Sequence, residues 1–244
     1  MATWVSSDWH CQPGEIKVSV AQWIRLGREG NHRLIGDGDL FDILPLGRDK
    51  WKDSAAVKRL AELLQGYHFD YVAGNHDPYR VVKELMAPYP NIIVHKRLEV
   101  ADSNVVYYVT HGHRWALDWG FLGLRHVAPA LVEFMVAHAP RLWYWLCRRL
   151  GWLASTPRPG ASESEERERI TSLTRVIWAG AAGHALSHGC CVIVGHTHTT
   201  GRYERGLGAH RACCAHMVDG GNLPDGSFVE ITDDARIAWL PLSP

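Results

Sequence analysis

The spacing of apolar positions in this chain changes along its length. Thr3 to Ser7 is a short apolar run that stops at Asp8, as a buried strand would. Residues 15–29 switch to helical spacing, with Ile16, Val20, Trp23 and Ile24 on one face. Arg33 to Asp37 predicts a second strand, and residues 53–65 a helix striped by Val57, Leu60 and Leu64. Phe69 to Ala73 is a third strand, halted by Gly74-Asn75, and residues 79–87 form a short helix. Asn91 to Val94 is a further strand. Leu98–Val100 and Val105–Thr110 predict a hairpin around Asp102-Ser103-Asn104. Cys190 to Val194 is another strand, and Phe228–Thr232 and Arg236–Leu240 flank an Asp233-Asp234 turn.

Strands alternating with helices early, then hairpins late, predict an α/β protein with mixed sheets. No internal repeat interrupts the pattern. Residues 115–188 differ in character and hold Trp115, Trp119, Trp143, Trp145, Trp152 and Trp178. They read as helices broken by Pro129, Pro140 and the polar segment Thr156–Glu168. Ser162 and Glu165 form a capping box for a helix carrying Ile170, Leu173, Ile177 and Ala181. The expectation is one domain over residues 1–244, with a helical insertion or cap at about 115–188.

Composition narrows the function. The 26 Lys and Arg balance the 26 Asp and Glu. A general nucleic-acid binder is usually basic, so nucleic acid is not an expected partner. Cys11, Cys147, Cys190, Cys191, Cys213 and Cys214 lack the spacing of a disulfide framework or a structural zinc site. They read as buried thiols of a reducing cytoplasm. The start Met-Ala-Thr-Trp-Val-Ser-Ser-Asp lacks a basic start followed by an apolar stretch, and no apolar run reaches the roughly 20 residues of a membrane span. The expectation is a cytoplasmic protein, or one lying on a membrane surface. Leu142-Trp143-Tyr144-Trp145-Leu146, followed by Arg148 and Arg149, has the aromatic and basic character of a segment that touches headgroups.

The 15 histidines gain meaning from position. Five short motifs each follow a predicted strand: Asp8-Trp9-His10, Gly38-Asp39-Leu40-Phe41-Asp42, Gly74-Asn75-His76-Asp77, His111-Gly112-His113, and Gly195-His196-Thr197-His198. Ligand sites of α/β folds gather at the carboxyl ends of strands, so these five ends can converge. Carboxylate, amide oxygen and imidazole, with no thiolate, suit manganese, zinc or iron. On an extended segment Asp8 and His10 would point to one side. An aspartate such as Asp39 has two oxygens and can bridge two metals. Asp37 competes with Asp39 as the start of a Gly-Asp motif, but only Asp39 has an Asp three residues later. His32, His68, His95, His126, His138, His184, His188, His210 and His216 lie outside the motifs.

The motif order, from residue 8 to residue 198, resembles that of the calcineurin-like metallophosphoesterases. The resemblance implies two mixed β-sheets sandwiched between helices, with two divalent cations, manganese before zinc or iron. It places Asp8, His10 and His198 on one metal, Asn75, His111 and His196 on the other, and Asp39 between them. His76 would face the substrate, with Asp77 orienting it, and Asp42 would support the site without binding metal. His113 and Arg114 would touch the substrate phosphate. The implied activity is hydrolysis of a phosphodiester or pyrophosphate bond.

Within that family the layout is most similar to UDP-2,3-diacylglucosamine hydrolases. Gly38-Asp39-Leu40-Phe41 and the stretch between the fourth and fifth motifs carry the similarity. Two positions depart from those enzymes, which have Arg where His76 stands and often Asp in place of His in the fourth motif. The implied substrate is a phosphorylated small molecule or a lipid nucleotide. A protein or small-molecule phosphatase is the alternative, although those usually carry Glu after Gly-Asn-His, where Asp77 stands here. A non-catalytic scaffold of the same fold would be expected to have lost ligand positions.

Overall fold

The computed structural model describes residues 1–102, 105–113, 115, 142, 145, 162–196, 201–204, 214–217, 227–232 and 237–242. His198, Arg114, Ser103, Asn104 and most of the stretch 116–161 lie outside the described residues.

Strand β1 (Thr3–Ser6) leads through helix α1 (Val18–Glu29) to β2 (Arg33–Asp37). A one-turn helix α2 (Ile43–Leu46) and helix α3 (Ala55–Leu63) follow, then β3 (Phe69–Val72), α4 (Tyr79–Met86) and β4 (Ile92–His95). The hairpin β5 (Leu98–Asp102) and β6 (Val105–Thr110) comes next. Helix α5 (Glu163–His188) precedes β7 (Cys191–Val194), and β8 (Gly201–Glu204), β9 (Cys214–Met217), β10 (Ser227–Ile231) and β11 (Ile237–Pro241) complete the order. One sheet has six strands in the order β11-β10-β1-β2-β3-β4, and the other five in the order β5-β6-β7-β9-β8. Both are mixed. β1 to β4 run parallel, as do β6, β7 and β9, while the hairpin partners are antiparallel.

Alternation along the strands builds the layers, because successive side chains point to opposite faces. Val5, Ile35, Val72 and Val229 of the first sheet meet Tyr107, Val109, Cys191 and Ile193 of the second in one apolar layer. Their neighbours Trp4, Leu34, Tyr71 and Phe228 face outward, onto Trp23 and Ile24 of α1, Val57 and Leu60 of α3, and Val82 and Leu85 of α4. On the far side, Tyr108, Val192 and Val194 pack on Ile177, Ala181 and Ala185 of α5. The result is a sandwich of two mixed sheets between helices, as the sequence implied. Cys11, Cys190 and Cys191 are buried thiols.

The helical stripes expected on α1 and α3 are the ones that are buried. Helix α5 starts with the expected capping box: the Ser162 hydroxyl accepts from Glu165 N–H, and the Glu165 carboxylate accepts from Ser162 N–H. It covers the second sheet, so its apolar stripe serves the body of the fold. The one-turn α2 and strands β8 and β9 are found where no element was expected. β8 and β9 are four residues each and pair with one another, a tertiary support that a short sequence window does not contain. Among the described residues no helix is long and apolar enough to cross a membrane.

At one side of the first sheet, Asp70 of β3 is buried with charged neighbours. The Arg33 guanidinium donates to its Oδ2 at 2.7 and 3.0 Å, and His95 Nε2 lies 2.8 Å from Oδ1. Burial opposes the ionised carboxylate, but the Arg33 and His95 hydrogen bonds outweigh it and hold the group below its usual value. A depressed carboxyl stabilises the fold fully above its unfolded pKa of 3.8 and loses that contribution as pH falls through the folded value. Asp70→Asn is therefore expected to lower unfolding free energy at pH 7 by about 1–3 kcal/mol. The gap from the wild type should narrow below pH 3.8, as read by urea unfolding across pH 7 to 3. A gap that widens on acidification would contradict this account.

Candidate metal centre

The five motif loops leave the carboxyl ends of β1, β2, β3, β6 and β7. They are tied together by hydrogen bonds that cross from sheet to sheet. The first loop runs alongside the second: Asp8 N–H donates to Gly38 O at 3.1 Å, His10 N–H to Asp39 O at 2.8 Å, and Cys11 N–H to Leu40 O at 2.8 Å. The loop after β7 joins through His196 N–H, which donates to Asp8 Oδ2 at 2.9 Å. The loop after β6 joins through His111, whose Nδ1–H donates to Asp37 O at 2.9 Å.

Such tight convergence needs unusual backbone. Asp8, His10, Asp39 and His196 all have φ between +47° and +76°. Residues other than glycine adopt that region rarely, and clusters of them mark functional sites. The shared direction of Asp8 and His10 therefore does not come from an extended strand, as expected from the sequence. It comes from two left-handed residues that coil the chain back beside Asp39. Gly38, at φ +80°, and Gly74 have no room for a side chain. A Cβ on Gly38 would overlap the His111 ring, and one on Gly74 would overlap Asp39 Oδ1 and its backbone nitrogen.

Three groups of ligand atoms result, Asp8–His10–Asp39, Asp39–His111–His196 and His10–Asp42–His76, each with all atoms within 4.8 Å of one another. Asp39 belongs to the first two. His111 Nε2 lies 3.0 Å from Asp39 Oδ2, 3.0 Å from Asn75 Oδ1 and 4.0 Å from Asp8 Oδ1. Six of the expected ligands thus meet, and His198 lies outside the described residues. His113 sits at the edge of the second group, its ring centroid 5.6 Å from that of His111.

The donor set fits divalent cations. A carbonyl oxygen only accepts, so His111 Nδ1 carries the hydrogen, and its Nε2 faces three oxygen acceptors. Either that imidazole is a cation or a cation lies among those atoms, as in carbonyl-oriented histidine ligands. The charges agree. Asp8, Asp37, Asp39 and Asp77 are buried, and no Lys or Arg is buried among the described residues. Burial pushes Asp8 up, with Asp39 adding to it. Burial takes the Asp37 carboxyl to about 8, against the pull of His111. Asp39 is the exception: burial opposes its ionisation, but His111 and His76 outweigh it and hold it well below the usual range. His111 in turn is raised well above its usual value by Asp39 and Asp8, against burial.

Asp77 makes contacts other than those expected. Asp77 does not orient the His76 ring. Its carboxylate accepts from Gly74 N–H at 2.8 Å, Asp39 N–H at 3.1 Å, Phe41 N–H at 3.1 Å and the Tyr71 hydroxyl. It is a tie between the second and third loops and is fully buried. Burial first, then the charge of Asp39, pushes its carboxyl up to about 7. The residue that holds His76 is Asp42, whose Oδ1 accepts from His76 Nδ1–H at 2.5 Å and lies 3.6 Å from His10 Nδ1. Burial opposes the Asp42 charge, but the hydrogen bonds from His10 and His76 prevail and keep it well below the usual range. Tyr71 was not singled out from the sequence. Its hydroxyl donates to Asp77 and accepts from Leu40 N–H at 3.0 Å. In the sequence it is one more aromatic residue of a strand, and only the tertiary fold gives it this task.

No family model matches the chain, and no curated protein matches it. Solved structures do align along its length. A novel archaeal phosphodiesterase aligns over 99% of this chain and 100% of its own, at 14% identity and a TM-score of 0.45. A phosphoesterase from E. coli aligns over the whole of both chains at 15% identity and a TM-score of 0.43. A dimetal phosphatase from Danio rerio aligns over 100% of this chain and 99% of its own, at 13% identity and a TM-score of 0.45. At such scores nothing about the chemistry of this chain follows from them.

Because a Cβ on Gly74 would overlap Asp39 Oδ1, Gly74→Ala should displace the shared carboxylate. The expected result is native-like circular dichroism with manganese affinity weakened by about tenfold or more. Wild-type affinity in that variant would show that this contact does not set the site.

Proposed function

We propose that the chain is a calcineurin-like metallophosphoesterase that hydrolyses a phosphodiester or pyrophosphate bond with two divalent cations, manganese first among them. The observation that carries this reading is that Asp39 belongs both to the group with Asp8 and His10 and to the group with His111 and His196. A shared carboxylate between two sets of His, Asp and Asn donors suits a two-cation site. When bound, such a pair supplies a nucleophilic water at neutral pH and neutralises phosphate charge.

The residues of the chain do the remaining work. Asp8 and His10, with His198, would hold one cation, Asn75, His111 and His196 would hold the other, and Asp39 would serve both. The Asp37 carbonyl fixes the His111 tautomer so that Nε2 faces the centre. Asp42 fixes His76 through Nδ1–H, so that in the imidazolium form the Nε2–H is left to give its proton to the leaving oxygen. Asp77, with Tyr71, keeps the second and third loops in register. His113, whose ring centroid lies 5.6 Å from that of His111, would meet the phosphate, as would Arg114, its neighbour in sequence.

The finer part of the proposal is a substrate of the UDP-diacylglucosamine type, which rests on the motif layout. A single domain with an insertion inside about 115–188, and a cytoplasmic setting with peripheral membrane contact, belong to the same reading. Leu142 and Trp145, 55% and 53% exposed, support the contact.

The test is hydrolysis, with manganese, of UDP-diacylglucosamine, nucleotides, cyclic nucleotides, a phosphopeptide and an aryl phosphodiester. Turnover of at least one diester or pyrophosphate is expected, and Asp39→Asn should lower it by about 100-fold or more. His76→Asn should slow substrates with alkoxide leaving groups by about 100-fold or more, and aryl esters much less, since those need no proton on departure. Manganese-loaded wild type that cleaves nothing in the panel would sink the reading, and turnover of the phosphopeptide alone would favour a protein phosphatase.

A further inference from the structure

Helix α5 ends on two histidines one turn apart, His184 and His188, and the site described above uses neither. Residues four apart lie on one face of a helix. Their rings stack, with centroids 4.1 Å apart and planes 19° from parallel. His184 is half-buried, and the Tyr108 ring of β6 lies 4.2 Å from it. His188 is exposed. The backbone of this last turn is fixed, because Gly189, at φ +62°, and Cys190 both donate N–H to the Ala185 carbonyl. The pair precedes β7, whose far end leads into His196, so it stands at the opposite end of that strand from the metal centre.

Hydrogen bonds set the tautomer of His188. Its Nδ1 lies 3.1 Å from the His184 carbonyl and 2.9 Å from Ser187 Oγ. A carbonyl only accepts, and the Ser187 hydroxyl donates to the Gly183 carbonyl at 2.8 Å. Nδ1 therefore carries the hydrogen, and the lone pair sits on Nε2. A backbone carbonyl at one ring nitrogen is the common support of a histidine that binds metal through the other. Two nitrogens that share an ion at about 2.0–2.1 Å stand at most about 4.2 Å apart, a span that rings at this spacing reach by turning about χ2. A Cβ on Gly183 or Gly189 would meet nothing within 4 Å, so water has room to complete the coordination. The carboxyl end of a helix also carries partial negative charge, which favours a cation in the last turn.

We propose that His184 and His188 clamp one divalent cation of the nickel, copper or zinc class, separate from the metal centre. Carboxylates suit manganese, whereas imidazoles suit these later metals, whose affinity for nitrogen exceeds that of manganese. The two sites therefore select different ions. The bound ion ties the last turn of α5 together through two side chains and resists its fraying against the second sheet. The clamp does not depend on the two-cation reading of the other site.

The test uses the full-length chain without an affinity tag and nickel(II) alone as probe. Calorimetric titration counts the nickel bound by the metal-free wild type, His188→Asn and His184→Gln. The wild type is expected to bind one nickel more than either variant. Nickel taken up at the metal centre is common to the three proteins and cancels, so a chain that fails to hold two cations there still tests the clamp. His188→Asn removes an exposed ring, and with EDTA it should melt with the wild type, so that a lost ion reports a lost ligand. His184→Gln shows that both rings are needed. A nickel count in either variant equal to that of the wild type overturns the proposal.

Discussion

Four carboxylates, Asp8, Asp37, Asp39 and Asp77, are enclosed where two β-sheets end, and no buried ammonium or guanidinium accompanies them among the described residues. Like charges confined at low dielectric repel, and each also loses its hydration. Hydrogen bonds satisfy part of this. Asp77 accepts from three backbone N–H groups and a tyrosine hydroxyl, and Asp39 is countered by His111 and His76. The remainder calls for cations, and the rest of the structure is arranged around that demand. The loops that enclose it lie along one another, use left-handed residues to do so, and admit no side chain at Gly38 or Gly74.

The sandwich explains why such a cluster can be held. Each sheet is covered on its outer face by helices and on its inner face by the other sheet, so the strands beneath the site are fixed from both sides. A motif residue at a strand end inherits that rigidity. Sites on such scaffolds keep their geometry better than sites on free loops, which matters because misplacement of about 1 Å is costly in catalysis. Cross-sheet hydrogen bonds from His111 to Asp37 O and from His196 N–H to Asp8 then lock the two sheets to each other at the site itself.

The division of labour between Asp42 and Asp77 shows how similar residues acquire unlike tasks. Both follow a glycine-led motif, and both are aspartates close to His76 in sequence or space. Asp77 adjoins His76 along the chain, yet its carboxylate points back to the loop backbone. Asp42 is 34 residues away and reaches the ring. Its partial exposure and its contact with two imidazoles favour a fixed negative charge beside a histidine that can carry a proton.

By itself the sequence determined the strands and the longer helices of the first 110 residues, the mixed α/β class, the capping box at Ser162 and the six candidate ligands that the fold brings together. Those features are local: apolar period, turn residues and side-chain chemistry are all present within a few positions. Tertiary structure alone decided the rest. Strands β8 and β9 exist through pairing with one another and of β9 with β7, Tyr71 becomes a site residue through Asp77, and Asp8 and His10 share a direction through left-handed backbone. Asp37 and Asp39 look alike in the repeated Gly-Asp. They part because β2 ends between them, leaving one side chain under the sheets and turning the other into the centre, and no spacing rule encodes where a strand stops.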